Sequence, residues 1–258
     1  MSDVLVDRDD AIAVVTLNRP AKRNSLTAEM MALFNESISD LDRDEGVRCI
    51  VLTGSDPAFC AGLDLRNLST SLRGSGAPDG SREPAPRGLI PRHDTPIIGA
   101  INGAAVTGGL EVALGCDFLI ASERAAFADT HARVGVIPAG GVTIRLPQLI
   151  GIDRARRMSL TGDFVDAATA LSWGLVTQVV AHDELLDVAR EVARSISAID
   201  PEALTTMRRL YEDVDALSGD DAFAFERAAN RTWMREKFNA GAVDARVSSI
   251  IERGSQQL

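Results

Sequence analysis

The stretch Ile97-Ile98-Gly99-Ala100-Ile101-Asn102-Gly103-Ala104-Ala105-Val106-Thr107-Gly108-Gly109-Leu110-Glu111-Val112-Ala113-Leu114 decides the fold. Ile97 to Ile101 is apolar and β-branched, as a buried strand requires, and small residues then lead into a helix from Gly108 to Leu114. Asp117 to Ala121 reads as a second strand. Strand, helix and strand in so short a span make a βαβ unit, which places both strands parallel in one sheet. Between Pro96 and Gly115 there is a single charged residue, so a membrane span has to be considered. Gly99, Gly103, Gly108 and Gly109 weaken any long helix there, and Asn102, Thr107 and Glu111 are costly in lipid. A buried strand, a turn and a buried helix fit better, and no membrane partner is expected.

Working outward, Val4–Val6 and Ile12–Leu17 alternate as a hairpin does, with Arg8-Asp9-Asp10 as the turn. Thr27 is placed to cap a helix running to Leu41, with Met30, Met31, Phe34, Ile38 and Leu41 on its apolar face. Cys49 to Leu52 is a short buried strand. From Ser69 to Arg87 the composition turns to Gly, Ser, Pro and Arg, which predicts a mobile loop or a lid over a site. Beyond Val136 the pattern is mainly helical: Asp166 caps a helix that Gly174 ends, and Leu175–Val180 forms a last strand. The final helices, carrying Phe223, Phe225, Trp233 and Phe238, form a separate region suited to packing on a neighbouring subunit. The chain therefore reads as α/β with a helical C-terminal region.

Composition narrows the function. The 258 residues hold 27 Lys plus Arg against 37 Asp plus Glu, a net charge of −10 that argues against nucleic acid as a partner. Residues 1–10 carry acids and no apolar run, so no secretory signal is expected. The cysteines Cys49, Cys60 and Cys116 are odd in number and lack CxxC spacing, which points to a reducing compartment, the cytoplasm. Metal-ligand spacing and phosphate-loop motifs are both lacking, so neither a metal nor a nucleotide cofactor is expected.

Three stretches can carry chemistry. Ala58-Phe59-Cys60-Ala61-Gly62-Leu63-Asp64-Leu65 leads a strand through Ala-Gly into a helical turn, baring backbone N–H groups. The plain alternative is a tight turn with Asp64 as a capping acid. Asn102 to Glu111 repeats the device, and Glu111 either caps the first turn or, desolvated by apolar neighbours, serves as a proton acceptor. Phe127-Ala128-Asp129-Thr130-His131 places one of only three histidines after a strand. Asp129 could orient its ring, act as an acid or cap a turn, while His93 and His182 read as surface residues.

Taken together these segments resemble the crotonase, or enoyl-CoA hydratase/isomerase, superfamily. The likeness covers nearly the whole chain. It rests on Leu17-Asn18-Arg19-Pro20 with Asn24-Ser25-Leu26, Phe59 to Leu65, Ile101-Asn102-Gly103 through Gly108-Gly109-Leu110-Glu111, and Gly135-Val136-Ile137-Pro138 with Arg145-Leu146. Leu160-Thr161-Gly162 with Ala167 to Ala170, and Trp173-Gly174-Leu175-Val176, complete it. The resemblance implies a spiral of ββα units over residues 1–195, holding the thioester site. Residues 196–258 then serve trimerisation and pocket closure, in a homotrimer or a dimer of trimers. It implies an acyl-CoA substrate, with CoA needing no separate cofactor. The backbone N–H groups of Leu63 and Gly108 match the family's oxyanion hole. Arg23, Ala61, Leu63, Asp64, Leu65, Arg66 and Gly108 match positions that bind the CoA thioester.

The family's hydratases use two glutamates. Glu111 falls on one of these positions, and His131 stands where the other belongs. The resemblance therefore implies hydration of a trans-2-enoyl-CoA with Glu111 as base and His131 as water-orienting group and proton donor. Isomerisation, another acyl-CoA hydrolase or lyase reaction, and a non-catalytic acyl-CoA-binding role are the alternatives.

Overall fold

The computed structural model describes residues 2–64, 88–215, 217–238 and 241. The Ser69–Arg87 loop, Leu65 and Arg66 lie outside them. The chain divides into two compact units, Met1–Thr205 and Thr206–Leu258.

The first unit is built on two sheets. β1 (Val4–Asp9) and β2 (Ile12–Leu17) form the expected hairpin, although β1 runs through Arg8 and Asp9 before the turn. β2 lies parallel to β3 (Cys49–Gly54), β3 to β5 (Ile97–Ile101), β5 to β7 (Phe118–Ser122), and β7 to β10 (Gln178–Val180). A second sheet of short strands takes β4 (Ala58–Cys60), β6 (Ala104–Val106), β8 (Ala126–Ala128) and β9 (Val165–Asp166) in that order. The chain thus lays one strand in the large sheet and the next in the small one, three times over: β3 then β4, β5 then β6, β7 then β8. The βαβ unit of the sequence is present, with α2 (Gly108–Leu114) between β6 and β7.

Side-chain alternation explains how the layers adhere. On β3, Ile50 and Leu52 face the core shared with α1 (Ala28–Arg43). Cys49 and Val51 face the opposite side, where Leu185, Ala189 and Ala193 of α7 (Leu185–Ser197) cover the sheet. Helix α1 begins where expected, the Thr27 hydroxyl accepting from the Met30 N–H, and buries Met30, Phe34, Ile38 and Leu41. Each large apolar side chain withdrawn from water contributes about 1.5–3 kcal/mol. Between α2 and α7 come α3 (His131–Val134), α4 (Val142–Ile150), α5 (Ile152–Thr161) and α6 (Ala167–Trp173), the last capped by Asp166 and closed by Gly174 as expected.

Helix α8 (Pro201–Val214) leads into the second unit, where α9 (Gly219–Glu236) has Asp220 and Asp221 in its first turn and Arg235 in its last. That polarity complements the helix dipole. Phe223 and Phe225 on α9 are exposed. Among the described residues no helix is long and apolar enough to cross a membrane.

Candidate active site

The ends of three neighbouring parallel strands supply the site. Leu63 follows β4, Gly108 follows β6, and Asp129 to His131 follow β8. In α/β sheets the carboxyl ends of strands are where the chain turns and backbone polar groups become available. Buried asparagines hold the β4 crossing. Asn24 donates to the Ser55, Ala58 and Phe59 carbonyls, and Asn102 donates to Asp56 and Ala58 while accepting from the Gly54 N–H.

The helical turn expected beyond Leu63 lies outside the described residues, and Leu63 itself is held in extended backbone. It pairs with Leu26 in a parallel bridge: the Leu26 N–H donates to the Gly62 carbonyl and the Asp64 N–H donates to the Leu26 carbonyl. Pairing on that side turns the Leu63 N–H away from Leu26, and no acceptor for it is found among the described residues. The Gly108 N–H, at the start of α2, likewise has none. A side chain on Gly108 would come within 3.5 Å of the Leu63 nitrogen, so the two donors are neighbours. Close packing sets that spacing, since a Cβ on Gly109 would lie 2.1 Å from the Cys60 carbonyl oxygen.

Glu111 is one helical turn beyond Gly108, on the same face of α2, and is 4% exposed. Its Oε1 accepts from the Gly140 N–H at 2.6 Å, which leaves Oε2 for the site. Burial pushes its carboxyl above the ordinary range, partly countered by the Gly140 and Ala139 N–H groups and by His131. His131 opens α3, buried, with Nε2 3.7 Å from Glu111 Oε2. That gap is too long for a direct hydrogen bond and leaves the two atoms positioned to share a water. On the other side of the ring, Nδ1 lies 2.6 Å from Asp129 Oδ1, and Asp129 Oδ2 accepts from the Ser159 hydroxyl. Burial works to raise the Asp129 carboxyl, but the bonds from His131 and Ser159 outweigh it and hold the group below its usual value. Nδ1 is the ring nitrogen placed to donate to Asp129 Oδ1.

Other expected positions fall around this centre. Arg23 is exposed, and its carbonyl accepts from the Ala61 N–H at 2.9 Å, which puts it beside the β4 extension. Asp64 is ion-paired with Arg19 at 3.4 Å. His182 is not a free surface residue: Nδ1 is 3.0 Å from the Ser122 hydroxyl and Nε2 3.1 Å from Asp56. Sequence reasoning missed Ser159 and Gly140, which reach the site only through tertiary packing. Asn24 was noticed only as part of a motif. No group of three or more His, Cys, Asp or Glu among the described residues could hold a metal ion.

The chain belongs to the enoyl-CoA hydratase/isomerase family, whose model matches residues 7–251. It is 43% identical over 185 residues to a probable peroxisomal enoyl-CoA hydratase of Arabidopsis thaliana, covering 72% of this chain and 69% of the relative. An enoyl-CoA hydratase of Mycobacterium tuberculosis is 35% identical over 227 residues, 87% of this chain and 85% of the relative. The crystal structure of an enoyl-CoA hydratase from Mycobacterium smegmatis, 49% identical, superposes with a TM-score of 0.75 over 92% of this chain and 100% of that one. The crotonase resemblance and its α/β spiral are thereby borne out.

Proposed function

We propose that the protein is an enoyl-CoA hydratase that adds water across the double bond of a trans-2-enoyl-CoA. The observation that carries this reading is the facing of Glu111 Oε2 and His131 Nε2 at 3.7 Å, one helical turn from the unpaired Gly108 N–H. The thioester oxygen accepts from the Leu63 and Gly108 N–H groups. A water between Glu111 and His131 gives its proton to Glu111 while its oxygen bonds to C3. The π electrons pass to the thioester oxygen as an enolate, where fixed donors gain most because charge develops there. In this reading His131 enters the cycle with a proton on each ring nitrogen, and transfer of its Nε2 proton to C2 completes the addition. Proton transfer from Glu111 to His131 then restores both groups.

Arg23, Ala61, Asp64, Leu65 and Arg66 are proposed to line the path of the CoA moiety, which arrives with the substrate and needs no further cofactor. The proposed assembly is a homotrimer or a dimer of trimers, with residues 196–258 at the subunit contact and over the pocket; light scattering measures it. Three unpaired buried thiols suit a reducing compartment, and the proposed location is the cytoplasm.

Isomerisation is the second reading, because the same pair of proton-carrying groups could move a proton along the acyl chain, and the family's description includes it. Product analysis after incubation with crotonyl-CoA separates the two. 3-Hydroxybutyryl-CoA supports hydration, and intact thioester binding without water addition removes it.

A further inference from the structure

We propose that Asp129 and Ser159 are positioning residues that fix the ring of His131 with its proton on Nδ1, leaving Nε2 to exchange protons in the site. This rests on the hydratase reading for its catalytic consequence but not for its geometry. Asp129 is 1% exposed at the end of β8, and a buried carboxylate is costly unless each oxygen is engaged. Both oxygens are. Oδ1 accepts from the His131 N–H at 3.2 Å and faces Nδ1 at 2.6 Å, and Oδ2 accepts from the Ser159 hydroxyl.

A turn cap would need only the backbone bond. The shorter contact is to the ring, and the second oxygen is tied to another element altogether. Ser159 is carried on α5, whose Ala155 and Met158 are anchored in the core, so the hydroxyl is held by packing. Ser159, Asp129 and His131 thus form a line of contacts from a helix anchored in the core to the ring whose Nε2 faces Glu111. Were the ring proton to move to Nε2, neutral His131 could not accept a proton there. The arrangement supplies what a histidine needs to work in this place, since an imidazole, unlike a carboxylate, has two unlike nitrogens.

The test uses Asp129→Asn and Ser159→Ala in the full chain, with two readouts. Nitrogen-15 NMR of labelled histidine, followed across a pH titration and assigned by loss of signal in His131→Gln, reports which ring nitrogen keeps its proton once the ring is neutral. Steady-state kinetics with crotonyl-CoA report kcat and KM separately. The expected result is Nδ1–H in the unaltered protein and loss of that preference in Asp129→Asn. With it, kcat falls roughly 10²- to 10⁴-fold and KM stays near its original value. Ser159→Ala shows the same change at about tenfold in kcat. Unchanged ring protonation and unchanged kcat in both variants overturn the proposal. If Asp129→Asn does not fold, Ser159→Ala decides, because it removes one half-buried hydroxyl. If the unaltered protein does not hydrate crotonyl-CoA, the hydratase reading fails by itself, while the NMR comparison still supports or overturns the ring assignment.

Discussion

Thr107 Oγ1 lies 2.5 Å from Thr130 Oγ1, so the residue before the Gly108 donor is tied to the residue before His131. The backbone adds to the tie, the Thr107 N–H donating to the Ala128 carbonyl at 2.9 Å. Thr107 sits at φ 54°, ψ −113°, a region a β-branched residue rarely occupies and that costs about 1–3 kcal/mol. Such strain persists only where its surroundings enforce it.

Thr107→Val keeps the shape and the strain but removes the hydroxyl bond. It is expected to destabilise the protein by about 1–3 kcal/mol. Thr107→Gly relieves the strain and should cost less. Denaturant melts of both variants check this order, and a Gly variant less stable than the Val variant would show that the strain is not real.

Gly109→Ala puts a Cβ where the Cys60 carbonyl already stands, 2.1 Å away. Helix α2 must retreat from β4, which moves the Gly108 N–H relative to Leu63. The cost is about 1–3 kcal/mol of stability, and turnover should drop more than stability alone explains. Gly135→Ala is the control. Nothing lies within 4 Å of its Cβ position, so only the positive φ of 74° opposes it. Thermal melts and turnover of both variants measure the contrast.

Glu111 must be ionised to act as base, and burial raises its pKa. Activity should therefore fail on acidification at a pH above the usual carboxylate value of about 4.3. Stability follows the opposite sign. A carboxyl whose folded pKa lies above its unfolded one favours folding most at low pH, and that contribution is lost as pH rises through the folded value. Glu111→Gln should thus be more stable than the unaltered protein near pH 8 by roughly 0.5–2 kcal/mol, with the gain shrinking toward pH 4. Melts at the two pH values give the comparison.

Burial pushes the thiols of Cys49 and Cys60 up to about 12, and that of Cys116 higher than normal as well. None should react with iodoacetamide in the native protein near pH 8, and all three should react once it is denatured. Mass spectrometry counts the adducts, and fast modification of any native cysteine contradicts the core described for β3, β4 and α2.

What the sequence made legible was whatever carries its own local signal. The Thr27 cap, the four-residue spacing of Met30, Phe34, Ile38 and the Asp166–Gly174 pair marked their helices through backbone hydrogen bonding and side-chain period. The βαβ unit followed from β-branched runs. The second sheet did not, because strands of two or three residues such as β6 and β9 are too short to show alternation. Glu111 and His131 were recognised by position in family motifs, yet their separation of 3.7 Å is a tertiary fact. Ser159 carried no signal at all, since a serine in mid-helix is ordinary until Asp129 is brought against it. His182 was misread for the same reason, its partners Ser122 and Asp56 being 60 and 126 residues away in sequence.

The central claim is that Glu111 and His131 together add water to an enoyl thioester held at the Leu63 and Gly108 N–H groups. Its most direct measurement is the loss of conjugated enoyl-thioester absorbance when the purified protein meets crotonyl-CoA, run beside Glu111→Gln and His131→Ala. The account predicts loss of absorbance with 3-hydroxybutyryl-CoA formed, and a fall of roughly 10²- to 10⁴-fold in kcat for each variant with CoA-thioester binding kept. Absorbance that does not change while the thioester still binds, or full activity in either variant, contradicts it.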